Sequence, residues 1–382
     1  MVKLLLLYDQ MNTTTEVNLS GILSLYNDGL HICRISPTKA ITIEDLNWCD
    51  ACIANRPSSI YAVNISKAIR RSGRLFMSFF DDDLLGLPRG NSGRWKKKYV
   101  LTCVKNSDAV ITPSPVIAEK IKKIVSTPNF IVIDTHVREE EIRQVPECQD
   151  KVRIVYAAGN DHTELFDFFI KPSLSRLKQR YDNKIEFTLM GINPDLSHIP
   201  ECNWIHQIDI MPYEMYRKYM MDHDFDLGLS PLLDNSFSNQ KYFNKFFEYS
   251  KNGIAGLYSN CLPYTLVIDN QKNGVLVDNT VEAWFQALCH AIDNIDKMKE
   301  MVYEAQLQLK TKFSIHSIRE IVHNSIDPLI DTNIKENVSY DHAKFLEIYY
   351  ELLSRVHQIT AHIYKDGFSK TMKKAYKAVV KH

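Results

Sequence analysis

The sequence has no excess of either charge: 46 Lys and Arg balance 46 Asp and Glu, so the formal net charge is zero. A dedicated nucleic-acid binder normally carries a basic surplus, so no nucleic-acid partner is expected. Long apolar runs are missing too. The opening MVKLLLLYDQ is too short to span a bilayer and carries no cleavage-site pattern. No later segment reaches the roughly eighteen apolar residues that a span requires. A cytoplasmic chain is therefore expected. Paired zinc-ligand spacing is also absent. Of the eight cysteines only Cys49 and Cys52 form a C-x-x-C, with no second pair to complete four ligands. Reduced cytosolic thiols are the simpler reading than a redox or metal site.

The chain has 382 residues, 45% of them apolar and 24% charged, which is enough for two ordinary packed domains. Short apolar runs alternate with helix-length segments. In the first part these runs are 2–8, 51–55, 75–80, 109–112 and 130–133, with helical patterns such as 60–72 and 116–124 between them. Residues 137–151 (VREEEIRQVPECQDK) are charged and contain Pro146, so an interdomain linker is placed at 138–151. A second series follows, with strands at 152–158, 184–190, 204–208, 225–229, 254–258 and 274–277. Strands alternating with helices imply parallel sheets covered on both faces. The fold class expected is α/β, with a Rossmann-like domain over 1–137 and another over 152–312. Ligands of such sheets bind beyond the carboxyl ends of the strands, so a central cleft between facing domains is the expected site.

The remaining chain reads as helix: 313–335 packing back toward the N-terminal domain, then an extension over 336–382. Residues 368–380 set Lys370, Lys373, Lys374 and Lys377 against Phe368, Met372, Tyr376 and Val379. Two readings stand for this basic amphipathic stretch: contact with an anionic membrane surface, or a solvated lysine face on a packed helix.

The most informative segment is SPLLDNSFSNQKYFNKFFEYSKNGIAGLYS, residues 230–259. A strand gives way to a polar loop with Asp234, Asn235, Ser238, Asn239 and Gln240. A helix is expected from about Lys241 to Lys251, stopped by Asn252-Gly253. Its first amides would form an anion site, and Lys241 and Lys245 would share one face. Two cations at a helix start suit a diphosphate, and Glu248 one turn on suits ribose hydroxyls. An ordinary surface helix with i, i+4 charges is the plain alternative.

This segment resembles group 1 retaining glycosyltransferases of the GT-B type. The likeness rests on Pro231, Leu232, Asp234, Asn235, Phe237, Lys241, Lys245, Glu248, Tyr249, Gly253 and Ser259. Of the family's glutamate pair, the second falls on Glu248 and the first on Gln240, an uncharged replacement still able to hydrogen-bond sugar hydroxyls. VRIVYAAGNDH (152–162) resembles the family's first C-domain strand and turn, which brings Gly159, Asn160 and His162 toward phosphate or donor sugar. A lone histidine in that place also has a structural reading. Gly191 and Tyr213 would lie near the nucleobase, with Asn239 also on the donor side. NQKNGVLVD (270–278) matches the family's later turn and strand.

In the first domain Asn55-Arg56-Pro57, FDDDL (80–84) and DAVITPS (108–114) are similar to segments of the same enzymes. Asp82 would orient or deprotonate an acceptor hydroxyl, with Arg56, Asp81 and Asp83 on the acceptor side. The aspartates have two other readings, a Mg²⁺ or Mn²⁺ site and caps for the following helix, and Arg56 has one, pairing with an aspartate. The resemblance implies transfer of a sugar from a nucleoside diphosphate to a glycan or lipid-linked hydroxyl, with retention and without a metal or cofactor. A cytoplasmic, peripheral-membrane role in polysaccharide synthesis would follow. Sugar-nucleotide epimerisation and a non-catalytic glycan-binding role are the rival readings.

Overall fold

The structure is a computed structural model that describes residues 1–86, 91–125, 129–147, 149–159, 162–199, 202–331 and Val356. Asn160 and the basic stretch 368–380 lie outside the described residues, as do Cys148 and nearly all of the extension 336–382. The chain forms two compact units. The first is Met1–Thr135 together with the chain from Ile318 onward, and the second is His136–Ser317.

In the first unit six parallel strands are ordered β2-β1-β3-β4-β5-β6. They are β1 (Val2–Tyr8), β2 (His31–Pro37), β3 (Ala51–Asn55), β4 (Leu75–Phe79), β5 (Ala109–Thr112) and β6 (Asn129–Val132). The order reverses at β1, as in a doubly wound sheet. Leu5, Leu7, Cys52, Ala54 and Phe76 pack on one face against the helix α3 (Ile60–Arg71), which sends in Ile60, Val63 and Ile69. Sheet residues buried on both faces explain the near-continuous apolar strands. Between β1 and β2 lies α1 (Thr13–Leu25), capped at its start by Asn12. Between β2 and β3 lies α2 (Ile43–Trp48), opened by a Thr42/Asp45 capping box. The helix over Ile315–Asp331 begins in the second unit and continues in the first, where Arg319 donates to the carbonyls of Leu25 and Ser24 at 2.9 Å each. These carbonyls belong to the last turn of α1, where a cation is favourable.

The second unit repeats the plan with the order β12-β11-β10-β7-β8-β9, again all parallel. Its strands are β7 (Val152–Ala157), β8 (Ile185–Met190), β9 (Ile205–Ile208), β10 (Leu227–Ser230), β11 (Ala255–Ser259) and β12 (Val275–Val277). Residues of β7 alternate between two cores. Ile154 and Tyr156 join Phe166, Phe187 and Trp284 on one face, while Val155 and Ala157 join Phe246, Phe247, Tyr249 and Phe313 on the other. The segment read as a linker is bound into this unit. Val137 N–H donates to Phe313 O at 2.8 Å, Arg143 N–H to Lys251 O at 2.8 Å, and the Arg143 guanidinium to Asp224 at 3.0 Å. The helical stretch after β7, from Thr163 to Tyr181, is interrupted by a π-turn over Phe166–Ile170 and a 3₁₀ turn over Lys171–Ser173. Pro172 accounts for the break, because it offers no amide to an α-helical ladder.

Candidate active site

The carboxyl ends of β7, β8 and β10 collect the polar side chains of the second unit. After β10 the chain makes a tight loop. Asn235 Oδ1 accepts from the amides of Phe237 (3.0 Å) and Ser238 (2.8 Å), and Asn239 Nδ2 donates to Asp234 at 2.8 Å. A 3₁₀ turn covers Ser238–Gln240, and the helix begins only at Asn244, running to Lys251. The helix start expected at Lys241 is thus corrected. Lys241 is extended (φ −60°, ψ 159°), and Phe243 is also off the helical conformation. The neighbouring rings of Tyr242 and Phe243 are both buried, together with Phe246 and Phe247.

Lys241 and Lys245 therefore hold separate partners. Lys241 Nζ lies 3.0 Å from His162 Nε2 and over the Phe237 ring at 5.5 Å. An ammonium has no lone pair, so it donates and the imidazole accepts at Nε2. His162 is set at the head of a short helical turn after β7, where its N–H donates to Gly159 O at 2.9 Å and its carbonyl accepts from Tyr156 Oη at 3.0 Å.

Lys245, at the second position of its helix, forms an ion pair with Glu248 one turn later. It also donates to Tyr216 Oη at 3.1 Å, and the same hydroxyl donates to Glu248 Oε2 at 2.8 Å. Tyr216 comes from the helix Tyr213–Asp222, and Tyr213 stacks beside it with centroids 6.3 Å apart. Burial alone would push the Lys245 ammonium down. Glu248 and the surrounding hydroxyls outweigh it and hold the lysine above its ordinary range. Burial, then Glu248, pushes the Tyr216 and Tyr213 phenols up. Lys245, Tyr216 and Glu248 thus form a triad in which one ammonium and one phenolic donor address the same glutamate oxygen. The amides at the start of this helix have no side-chain cap.

Gln240 is turned inward. It is 5% exposed, its Nε2 donates to Ser236 O, and its Oε1 is buried with no partner. Gly191 follows β8 at φ +76°, and a Cβ there would meet Ala158 O at 2.2 Å. The glycine therefore lets the β7 and β8 ends close against each other.

In the first unit, Arg56 follows β3 at φ 49° and grips Asp81 with Nε at 2.5 Å and Nη2 at 2.7 Å. Asp82 is 3.9 Å from the same guanidinium. Asp83 is 4% exposed and engaged elsewhere, with Lys120 Nζ at 2.5 Å and the Gly86 amide at 2.9 Å. Of the three, Asp82 is the one without a close ion-pair partner. The aspartates do not converge as ligands.

No family model matches the sequence, and no curated protein does. Solved structures do match the fold. HepE from Anabaena in complex with UDP shares 11% identity over 86% of this chain and 100% of its own, with a TM-score of 0.63. Sucrose-phosphate synthase from Thermosynechococcus elongatus shares 10% identity over 87% of this chain and 100% of its own, at 0.62. A protein from Listeria monocytogenes assigned as a UDP-N-acetylglucosamine 2-epimerase shares 10% over 88% and 98%, at 0.55.

The fold is GT-B.

At these identities the likeness establishes the GT-B architecture and nothing of the chemistry. Two features of this GT-B chain had no local signal. Tyr216 bridges Lys245 and Glu248 from 32 residues away in sequence. Asp9, at the end of β1, accepts from Thr38 Oγ1 (2.7 Å), Ser58 N (2.6 Å) and Ser59 Oγ (2.6 Å). Both are aromatic or acidic residues whose partners come from separate segments.

Proposed function

We propose that this chain transfers a sugar from a nucleoside diphosphate to a hydroxyl of a glycan or lipid-linked glycan, with retention at the anomeric carbon. The observation that carries the reading is the Lys245–Glu248–Tyr216 triad beside the uncapped helix start, on a fold shared with a protein solved with UDP. Glu248 binds the ribose hydroxyls. Lys245, Lys241 and the free amides receive the diphosphate. As the C1–O bond to phosphate breaks, negative charge grows on the leaving oxygen, and the two ammonium groups are already in place to stabilise it. The acceptor oxygen bonds C1 on the same face, and its proton passes to the departing phosphate. No protein nucleophile is required. Gln240 Oε1, buried without a partner, accepts from a donor-sugar hydroxyl in place of the family's glutamate. In the first unit Asp82 orients the acceptor hydroxyl, and the Arg56–Asp81 pair supports it.

The likeness to the Listeria protein favours epimerisation as a second reading. NMR of reactions with UDP-, GDP- and dTDP-sugars, each with and without glycan acceptors, tests both. Transfer gives a new glycoside with the donor's anomeric configuration and releases the nucleotide only with acceptor. An epimer formed from donor alone overturns the transfer reading, and an inverted product overturns the same-face step. The peripheral membrane role rests on residues 368–380. Among the described residues no helix is long and apolar enough to cross a membrane.

A further inference from the structure

We propose that the first unit carries a divalent transition-metal site, built from Asp28, His31 and His323, which ties the start of β2 to the helix Ile315–Asp331. The three residues offer one ligand atom each, all within 4.8 Å of one another. Asp28 Oδ2 is 2.9 Å from His31 Nδ1 and 3.1 Å from His323 Nε2. Tetrahedral ligands at about 2.0–2.1 Å from zinc lie roughly 3.3 Å apart, so these separations are close to those of a metal's ligands.

The surrounding hydrogen bonds orient each ligand. Asp28 Oδ1 is occupied by the amides of Leu30 (2.8 Å) and His31 (3.2 Å), which leaves Oδ2 to act as a single ligand oxygen. His323 Nδ1 is 2.6 Å from Asp327 Oδ2. That bond places a proton on Nδ1 and the lone pair of Nε2 toward Asp28, the carboxylate–histidine–metal pattern. His31 Nε2 points at Asp327 Oδ1 from 3.5 Å, and neither atom has a hydrogen-bond partner although both are buried. Asp327 thus addresses the outer nitrogens of both rings. The rings stack at 5.4 Å, with Tyr26 edge-on to His31 at 4.8 Å.

In the tautomers with the outer nitrogens protonated, both inward lone pairs face Asp28 Oδ2, and one divalent ion between the three atoms accepts all of them. His31 is 2% exposed and Asp28 8% at their side chains. A single ion there satisfies all three donor atoms at once. Two imidazoles and one carboxylate suit zinc and its first-row neighbours. His323 and Asp327 are a quarter or more exposed at their side chains, which gives the ion a route in.

The test uses the full chain without a histidine tag, stripped with chelator and titrated with Zn²⁺ by calorimetry, with melting temperature read in parallel. We expect one equivalent bound and a rise in melting temperature on adding zinc. Co²⁺ in its place should give a visible d–d spectrum that zinc abolishes. His323→Ala, at the more exposed ligand, should lose both the binding and the thermal rise. Asp327→Asn, which leaves the three ligands intact, should weaken binding about 10–100-fold. Wild-type protein that binds no stoichiometric zinc, and whose melting is unmoved by it, overturns the proposal. So does zinc binding that is unchanged in both variants. In either case ¹⁵N shifts showing two doubly protonated imidazoles would assign the cluster to an ion-pair clasp. None of these readouts depends on sugar transfer.

Discussion

Replacing Lys245 by alanine removes one ammonium from the proposed leaving-group site and leaves Glu248 with only the Tyr216 hydroxyl. Two unit charges about 4 Å apart at an effective dielectric of about 20 interact by roughly 4 kcal/mol. Glu248 already offsets part of the lysine's charge, so the share available to the departing phosphate is smaller, about 3 kcal/mol. That agrees with the ~2.7–4 kcal/mol lost when one preorganised donor is deleted from an anion-stabilising site. At about 1.36 kcal/mol per decade, turnover should fall on the order of 100-fold. Folding pays less. The pair is about a quarter exposed, with side-chain values of 22% and 25%. Losing its hydrogen bonds should cost roughly 1–3 kcal/mol of stability. The assay is nucleoside diphosphate release from the best donor of a panel, under saturating donor and acceptor, on protein whose melting curve shows it folded. Turnover within threefold of wild type would remove Lys245 from the chemistry and refute the leaving-group reasoning.

Two further outcomes are expected. Gly191→Ala forces a side chain into left-handed backbone at φ +76° and a Cβ to 2.2 Å from Ala158 O, so urea denaturation should show a loss of about 2–4 kcal/mol; a loss under 0.5 kcal/mol would contradict the close approach of the β7 and β8 ends. Burial pushes the thiols of Cys33, Cys49 and Cys261 up to about 11, 12 and 11. In the unfolded chain they ionise near about 8.5, so the unfolded state binds fewer protons above that pH and stability falls as pH rises from about 9. The buried phenols of Tyr216 and Tyr249, also raised, act in the same sense. Denaturation midpoints at pH 8 and pH 10 check this, and equal midpoints would contradict it.

Eleven of the twelve strands could be read from apolar runs because each has at least part of its length buried on both sides. The strand β2 escaped, since His31–Pro37 lies at the sheet edge and alternates half-buried and exposed residues without an apolar run. The helix after β10 was misplaced for a different reason. Lys241 and Lys245 have helical spacing, yet spacing alone does not register the 3₁₀ turn over Ser238–Gln240 and the extended Lys241, which delay the helix to Asn244. Lys245 and Glu248 were legible as a pair because a helix brings residues three apart together. Tyr216 was not, because its place depends on how two helices pack. Asp28, His31 and His323 are likewise joined only by the return of the helix Ile315–Asp331 to the first unit, about 290 residues along the chain.

Nucleotide recognition by the second unit is the claim on which the functional account depends. Calorimetry of UDP, GDP and dTDP against wild-type protein and Glu248→Gln measures it directly. At least one nucleotide should bind the wild type, and the variant should bind it about tenfold or more weakly, as expected for loss of a charged hydrogen bond worth ~1.5–3 kcal/mol. Equal affinity in both proteins, or no binding of any of the three to the wild type, would contradict it.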